Sequence, residues 1–274
     1  MATGKSGLIT AAVVFATFLA ASARVYWGSN RPGQPPGPPA FSFQPIAGAL
    51  PPFAATRAFS DLFGVQTADE TIATAAEHTS LWHQQAFTLA GAPAQAVFIQ
   101  TRQLDPATRK AAAGPAEAPS ISAACYRLAD GQWKLAGASK DFARAGGWGQ
   151  AARPRGPVQV LEFPSGTVAF LFDQGGTGQG YAQVGKGVWA FASGEWRDLG
   201  FVQTGGDNGG AATAAGERYR FTGTVSMAPG SRTWPDLLVA RTGTIRDERD
   251  QVVPVSDTRY VFTGKGYEEV LARR

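Results

Sequence analysis

Hydrophobic and polar residues follow two different patterns along this chain. Residues 6–23 form an uncharged, largely apolar run, whereas apolar and polar residues alternate over many short segments after Leu81. Alternation with a period of two places successive side chains on opposite faces of a strand, which is typical of a half-buried β-sheet. The pattern therefore predicts an N-terminal apolar helix followed by a β-rich protein.

One aromatic pattern recurs three times, in residues 126–133, 189–196 and 260–267. Each segment has an aromatic residue, an apolar residue two positions later, a turn that contains glycine, and a second aromatic residue. This order predicts a β-hairpin whose aromatic side chains share one face. The copies are 63 and 71 residues apart, longer than a propeller blade of roughly 40–50 residues. We expect a mainly β fold, an antiparallel sandwich or barrel built from aromatic hairpins.

Residues 53–80 precede this β-rich region and have a different texture. Pro51 and Pro52 are followed by apolar residues up to Phe63, and Gly64 is a typical helix stop. Thr67 and Glu70 have the spacing of a capping box, which suits a second short helix near residues 68–77, but Thr71, Ile72 and Thr74 suit a strand equally well. One short helix is therefore predicted before the strands, followed by either a second short helix or a strand.

The apolar run admits two interpretations. As a signal peptide, it ends in the small residues Ala21-Ser22-Ala23, which suit a cleavage site. As an anchor, its eighteen helical residues would span ~27 Å, enough for the hydrocarbon core of a bilayer. The residues expected in or beside the membrane are Leu8, Val13, Phe15, Phe18, Tyr26 and Trp27.

A spacer rich in proline and glycine follows, so the chain divides into a membrane or signal segment (1–27), the spacer (28–52) and a β-rich domain (53–274). A stiff spacer of this composition suits a domain held away from a membrane surface. We expect the domain on the periplasmic side of the inner membrane, or free in the periplasm or medium if the segment is cleaved.

Charge argues against nucleic acid as a partner. The chain has 25 Lys and Arg against 21 Asp and Glu, and the charges are dispersed. A nucleic-acid surface needs a stripe of cations that follows the phosphate backbone, and no such stripe is visible.

Residues suited to catalysis or to metal binding are scarce. Cys125 is the only cysteine, lies in an apolar strand pattern and is expected to be a buried thiol. His78 and His83 are the only histidines, and their spacing of five does not place them on one face of a helix or strand. No catalytic residue and no metal ligand is predicted.

Two glycine-rich segments carry the best candidate binding residues, Asp173, Asp207 and Asn208. Their oxygens are of the type that Ca²⁺ prefers, but the spacing matches no calcium loop. Hairpin turns explain Asp, Asn and Gly there more simply. No cofactor is therefore expected, with Ca²⁺ as the alternative.

An aromatic residue and a set of carboxylates leave a glycan open as a ligand. Trp148 lies between glycines, which predicts an exposed loop residue able to stack on a sugar. The tryptophans in or beside the expected strands, Trp82, Trp133, Trp189 and Trp196, are expected in the core. Glycoside cleavage would need two carboxylates, and the candidates are Glu162, Asp173, Glu195 and Asp207.

The functional hypothesis that these patterns favour is a non-enzymatic, membrane-tethered periplasmic module that binds a protein partner, as an accessory part of a membrane complex. The alternative is a secreted or periplasmic glycan-binding protein, or a hydrolase that uses paired carboxylates.

Overall fold

The computed structural model describes residues 50–111, 117–146, 151–154, 158–163, 166–228 and 234–270. The predicted membrane segment and all but the last three residues of the spacer lie outside these ranges, as does Trp148. In the described part the protein is mainly β, its strand pairs are antiparallel, and one α-helix, α1 (Thr56–Phe63), precedes the strands. The predicted mainly β, antiparallel fold is confirmed.

The first sheet has five strands in chain order. They are β1 (Thr71–Ala73), β2 (Glu77–Leu89), β3 (Ala92–Gln103), β4 (Ser120–Ala129) and β5 (Gln132–Arg144).

The second sheet has nine strands and curls into a half-barrel. The strands are β6 (Gln159–Phe163), β7 (Thr167–Gly178), β8 (Tyr181–Ala192), β9 (Glu195–Asp207), β10 (Arg220–Ala228), β11 (Asp236–Arg246), β12 (Val252–Pro254), β13 (Thr258–Phe262) and β14 (Tyr267–Val270). Their order is β6-β7-β8-β9-β10-β11-β13-β14, with β12 beside β11. A short 3₁₀ helix, Ala215–Glu217, precedes β10.

The three predicted aromatic hairpins are the β4–β5, β8–β9 and β13–β14 pairs. In the first, Asp130 and Gly131 both have positive φ (54° and 73°), as a two-residue type I′ turn requires. The turn at Ser193 and Gly194 repeats this geometry, with φ of 52° and 84°. Sequence identified these turns because few residues adopt such angles without strain.

The region before the strands is only partly helical. α1 ends at Gly64, which adopts a left-handed conformation as expected of a helix stop. Of the two alternatives for residues 68–77, the structure has the strand, since Thr71–Ala73 is β1. The Thr67 hydroxyl donates to the Thr71 carbonyl oxygen (3.0 Å) instead of capping a helix, and Ile72 pairs with Thr79 of β2.

Three apolar clusters separate the layers. The first lies between the two sheets and contains the inward-facing residues of β2–β5 and β6–β9. The second lies inside the curl of the second sheet, between β6–β9 and β11, β13 and β14. The third packs α1 against the outer face of the first sheet. Successive side chains of β7 point to opposite faces of the sheet, so Phe170 lies in the first cluster and Leu171 in the second.

The tryptophans of the hairpins fill these clusters, as predicted. The ring of Trp189 lies 4.4 Å from that of Phe172 and 5.3 Å from that of Trp82. Trp196 contacts Phe98 at 4.9 Å. Tilted and edge-to-face ring contacts at these separations are favourable and join the two sheets.

Candidate interaction surface

The residues that sequence singled out for binding lie on separate parts of the second sheet. Asp173 is an exposed residue of β7 whose carboxylate accepts from Lys186 Nζ at 2.6 Å. Asp207 ends β9, and its Oδ1 accepts from the Gly209 N–H at 3.0 Å. Asp173 pairs with Lys186 and Asp207 with Ala182, four positions away along β8, or ~13 Å at ~3.3 Å per residue. The fold does not bring these two carboxylates together.

Asn208 is buried, with 3% of its surface exposed. Its side-chain amide donates to the Glu217 carbonyl oxygen (2.9 Å), and its Oδ1 accepts from the Tyr219 N–H (2.7 Å). Its own carbonyl accepts from the N–H groups of Ala211 and Ala212, both at 2.9 Å. A buried amide with all these partners fixes the backbone of the segment between β9 and β10.

Other contacts hold this segment to the β7–β8 turn. The Gly210 N–H donates to the Gly180 carbonyl oxygen at 3.2 Å. The Glu217 carboxylate accepts from the hydroxyl and N–H of Thr213 and from the N–H of Ala214. These hydrogen bonds hold the pKa of Glu217 below its usual range. The β7–β8 turn and the β9–β10 connection therefore form one ordered end of the second sheet.

This end of the sheet presents four side chains, Tyr181, Arg218, Tyr219 and Arg220, which we call the β8–β10 tip. Arg220 pairs with Asp207, which pairs in turn with Ala182 beside Tyr181. Tyr181 is 49% exposed. Partial burial raises the pKa of Tyr219, and the nearby Tyr181 and Asp207 raise it further. Tyr181 and Tyr219 are therefore close neighbours, and the raised pKa keeps Tyr219 neutral at physiological pH.

A shallow hollow of about 350 Å³ lies within the tip and is lined by Asp207, Gly209, Arg218, Tyr219, Arg220 and Thr244. Both Arg218 and Arg220 are exposed. Among the described residues, neither guanidinium has a hydrogen-bond or ion-pair partner, whereas Arg241, Arg246 and Arg259 each pair with a carboxylate. The tip therefore offers two unpaired cations beside two tyrosines on a fixed frame.

A second concavity, of about 560 Å³, lies beside the first sheet and α1. Its charged groups are largely engaged within the protein: Arg102 contacts His78 Nδ1 at 3.2 Å, and Asp141 accepts from the Ser120 hydroxyl at 2.6 Å. Lys140 Nζ lies 5.0 Å from the centre of the Phe63 ring. Because these polar groups contact one another, the cleft is a weaker candidate for a binding site than the β8–β10 tip.

Both histidines are partly buried and contact side chains of the first sheet. Burial lowers the pKa of His78, and the neighbouring Arg102 lowers it further. Burial also lowers the pKa of His83, against a hydrogen bond to Gln85 at 3.1 Å that raises it. The predicted buried state of Cys125 is confirmed, and burial raises the pKa of its thiol to about 12.

The four carboxylates considered for glycoside cleavage contact different neighbours. Glu162 accepts from the Gly91 N–H (3.4 Å) and Glu195 pairs with Arg197 (3.2 Å), while Asp173 and Asp207 have the partners given above. The structure thus gives each carboxylate a separate local role.

The described ranges contain no group of three or more His, Cys, Asp or Glu side chains placed to hold a metal ion. They also contain no helix long and apolar enough to cross a bilayer.

Sequence reasoning missed the tip, although a signal was present. Arg218-Tyr219-Arg220 directly follows a segment of Ala, Gly and Thr and opens a strand. Tyr181 lies some forty residues earlier and is brought beside them only by strand pairing.

No family model, no curated protein and no solved structure matches the chain.

Proposed function

We propose that this chain is a non-enzymatic interaction module, tethered by its N-terminal segment on the periplasmic side of a membrane, which binds a protein partner through the β8–β10 tip. The observation that carries the proposal is the pair of unpaired guanidinium groups, Arg218 and Arg220, beside Tyr181 and Tyr219 on an ordered frame.

The residue types suit a protein interface. Tyrosine and arginine are enriched among the side chains that contribute most of the free energy of binding. Each combines a large contact area with directional hydrogen bonding, and a guanidinium binds a carboxylate through two parallel N–H···O bonds. The partner surface should therefore offer carboxylates flanked by apolar area.

Rigidity supports the same conclusion. The buried Asn208 amide and the Glu217 carboxylate fix the backbone from which Arg218 and Tyr219 project. A surface that is already ordered loses less conformational entropy when it binds. The tip thus has the preorganisation expected of a binding surface.

The partner can be tested by purifying the full chain from its native membranes in mild detergent and identifying co-purifying proteins by mass spectrometry. We compare the wild type with Arg218→Gln/Arg220→Gln and with the charge-matched control Arg127→Gln/Arg197→Gln. Arg127 and Arg197 are exposed residues of other strands. We expect a stoichiometric partner with the wild type and the control, and a loss of about tenfold in the tip variant, which corresponds to about 1.4 kcal/mol.

The same preparation tests the tether, because peptides that contain Met1 and Lys5 should be recovered from the membrane fraction. Retention of the partner by the tip variant would place the binding surface elsewhere. A solitary protein that begins near Arg24 would contradict the tethered module, and saturable binding of oligosaccharides would then favour the glycan-binding alternative.

A further inference from the structure

Strand β10 has one edge that is only partly covered. It pairs with β11 along Phe221–Ala228, eight consecutive residue pairs without a bulge. On its other side it pairs with β9 only at Arg220, Phe221 and Thr222. In the described part of the chain, residues 223–228 have no strand partner on that side. Every second residue of this stretch therefore presents its N–H and C=O groups outward.

Side chains bind backbone groups at several places along β9, the strand that diverges from β10. Along β9, the Trp196 N–H donates to the Ser139 hydroxyl (3.0 Å) and the Gln203 N–H to the Tyr260 hydroxyl (3.1 Å). The Gln203 carbonyl oxygen accepts from Arg241 (3.2 Å). Side chains thus replace the missing strand on β9. Within the described residues no side chain does the same for residues 223–228 of β10.

Four other edge strands in the described ranges carry features that discourage strand addition. β1 and β12 have three residues each, β12 contains Pro254, and β14 has four residues that include Glu268 and Glu269. β5 has irregular pairing with β4 at two places and carries four charged side chains, Lys134, Lys140, Asp141 and Arg144. Short length, proline, charge and bulges are common protections of natural edges.

The exposed stretch of β10 has none of these protections. Its sequence is Gly-Thr-Val-Ser-Met-Ala, without charge or proline. Thr224 and Ser226 are exposed on the outer face, while Val225 and Met227 pack on the cluster inside the curl. A regular, uncharged edge that has no partner among the described residues is a template for another strand.

We infer that the β10 edge, residues 223–228, pairs antiparallel with the same edge of a second copy of this chain. A twofold axis at Val225 would place Thr224 opposite the partner's Ser226, and the reverse, so hydroxyl groups face hydroxyl groups and no like charges meet. Such an isologous contact satisfies itself by symmetry. Cross-strand Thr and Ser pairs stabilise antiparallel sheets. The two second sheets then form one continuous sheet.

The test is sedimentation velocity of the full chain in mild detergent over a wide range of protein concentration. The edge variant is Thr224→Lys/Ser226→Lys, which would set lysines opposite one another across the axis. The matched control is Ala240→Lys/Leu238→Lys, because these exposed β11 residues pair directly with Thr224 and Ser226 one strand inward. We expect a reversible wild-type dimer, a control that dimerises similarly, and an edge variant whose dimer is weaker by about tenfold.

Amide hydrogen exchange locates the contact. Protection of residues 223–228 should rise with protein concentration in the wild type and the control but not in the edge variant. Circular dichroism checks that the variants keep the β fold. A wild type that stays monomeric, an edge variant that dimerises like the control, or equal weakening of both variants would each overturn the inference. None of these results depends on the β8–β10 tip.

Discussion

Asn208 is a buried polar side chain whose hydrogen bonds fix the backbone of its neighbours. Its amide joins the end of β9 to the start of β10 through Glu217 and Tyr219. The sequence analysis considered the same residue as a ligand, because asparagine is frequent both in loops and in binding sites. Burial decides its role, since an amide with no access to solvent must satisfy its hydrogen bonds within the protein.

Replacing Asn208 with alanine should lower the free energy of unfolding by about 1–3 kcal/mol, because the Tyr219 N–H and the Glu217 carbonyl lose buried partners. Urea unfolding measures the change. Gln183→Ala, at an exposed position of β8, is the control and should stay within about 0.5 kcal/mol. Equal stability of the two variants would contradict the assigned role.

Cys125 makes stability depend on pH. Its thiol has a pKa of about 12 in the folded protein, against an ordinary value of 9.0, because burial disfavours the thiolate. Above pH 9 the unfolded chain releases this proton and the folded protein keeps it. Its contribution to stability is therefore fully present below pH 9 and is lost as pH rises toward 12.

We expect Cys125→Ala to show a smaller loss of stability than the wild type between pH 9 and pH 10, by about 1 kcal/mol. Urea unfolding at the two pH values measures it. Burial also raises the pKa of tyrosines such as Tyr126 and Tyr267, but these are present in both proteins, so their effect cancels in the comparison. Identical pH slopes in the two proteins, or rapid labelling of the native thiol by a disulfide reagent, would show that the thiol is accessible.

At the scale of elements, the close approach of the two sheets depends on a glycine. Gly137 of β5 lies against the β8–β9 turn, where a Cβ atom would meet the Gly194 carbonyl oxygen at 1.9 Å. Nearby, the Ser139 hydroxyl accepts from the Trp196 N–H at 3.0 Å. The Gly194 backbone cannot move aside as a flexible side chain could. Any side chain at residue 137 should therefore push the two sheets apart.

Gly137→Ala should therefore destabilise the protein by about 2–4 kcal/mol. Gly176→Ala is the matched control, since Gly176 lies in β7 with open space around its Cβ position. It should be neutral or slightly stabilising, because alanine restricts the unfolded chain. Chemical unfolding of both variants checks the prediction, and a stable Gly137→Ala protein would refute the close contact.

A second contact between the sheets is a pair of hydrogen bonds that join the Gln85 side chain to the backbone of Val158. The Gln85 amide donates to the Val158 carbonyl oxygen (2.9 Å), and its Oε1 accepts from the Val158 N–H (2.8 Å). Val158 lies directly before edge strand β6. This pair of bonds imitates strand pairing and ties β2 of the first sheet to the second sheet.

At the scale of the whole molecule, alternation along single strands determines the layers. β3 sends Phe98 into the cluster between the sheets and Val97 toward α1, while β7 and β8 contribute to clusters on both of their faces. Strands buried on both faces are expected where a sheet is covered on each side. The described part of the molecule is therefore layered, and its candidate interaction surfaces lie at sheet ends and edges.

What sequence predicted best was local. The pairs Asp130-Gly131 and Ser193-Gly194 determined two hairpin turns, and the spacing of Tyr126, Trp189 and Tyr260 identified the three aromatic hairpins. These features depend on backbone angles and on a period of two, which neighbouring residues set by themselves. The burial of Cys125 followed from its apolar surroundings for the same reason.

The sequence by itself determined that this protein is mainly β, where its aromatic hairpins turn, and which side chains fill its core. Only the tertiary structure decided that residues 71–73 form a strand, because Ile72 needs β2 as its partner. It also separated Asp173 from Asp207, buried Asn208, and placed Tyr181 near Tyr219. Each of these outcomes depends on register between strands and on the curl of the second sheet. Register and curl arise from contacts between residues far apart in the chain, which no local pattern specifies.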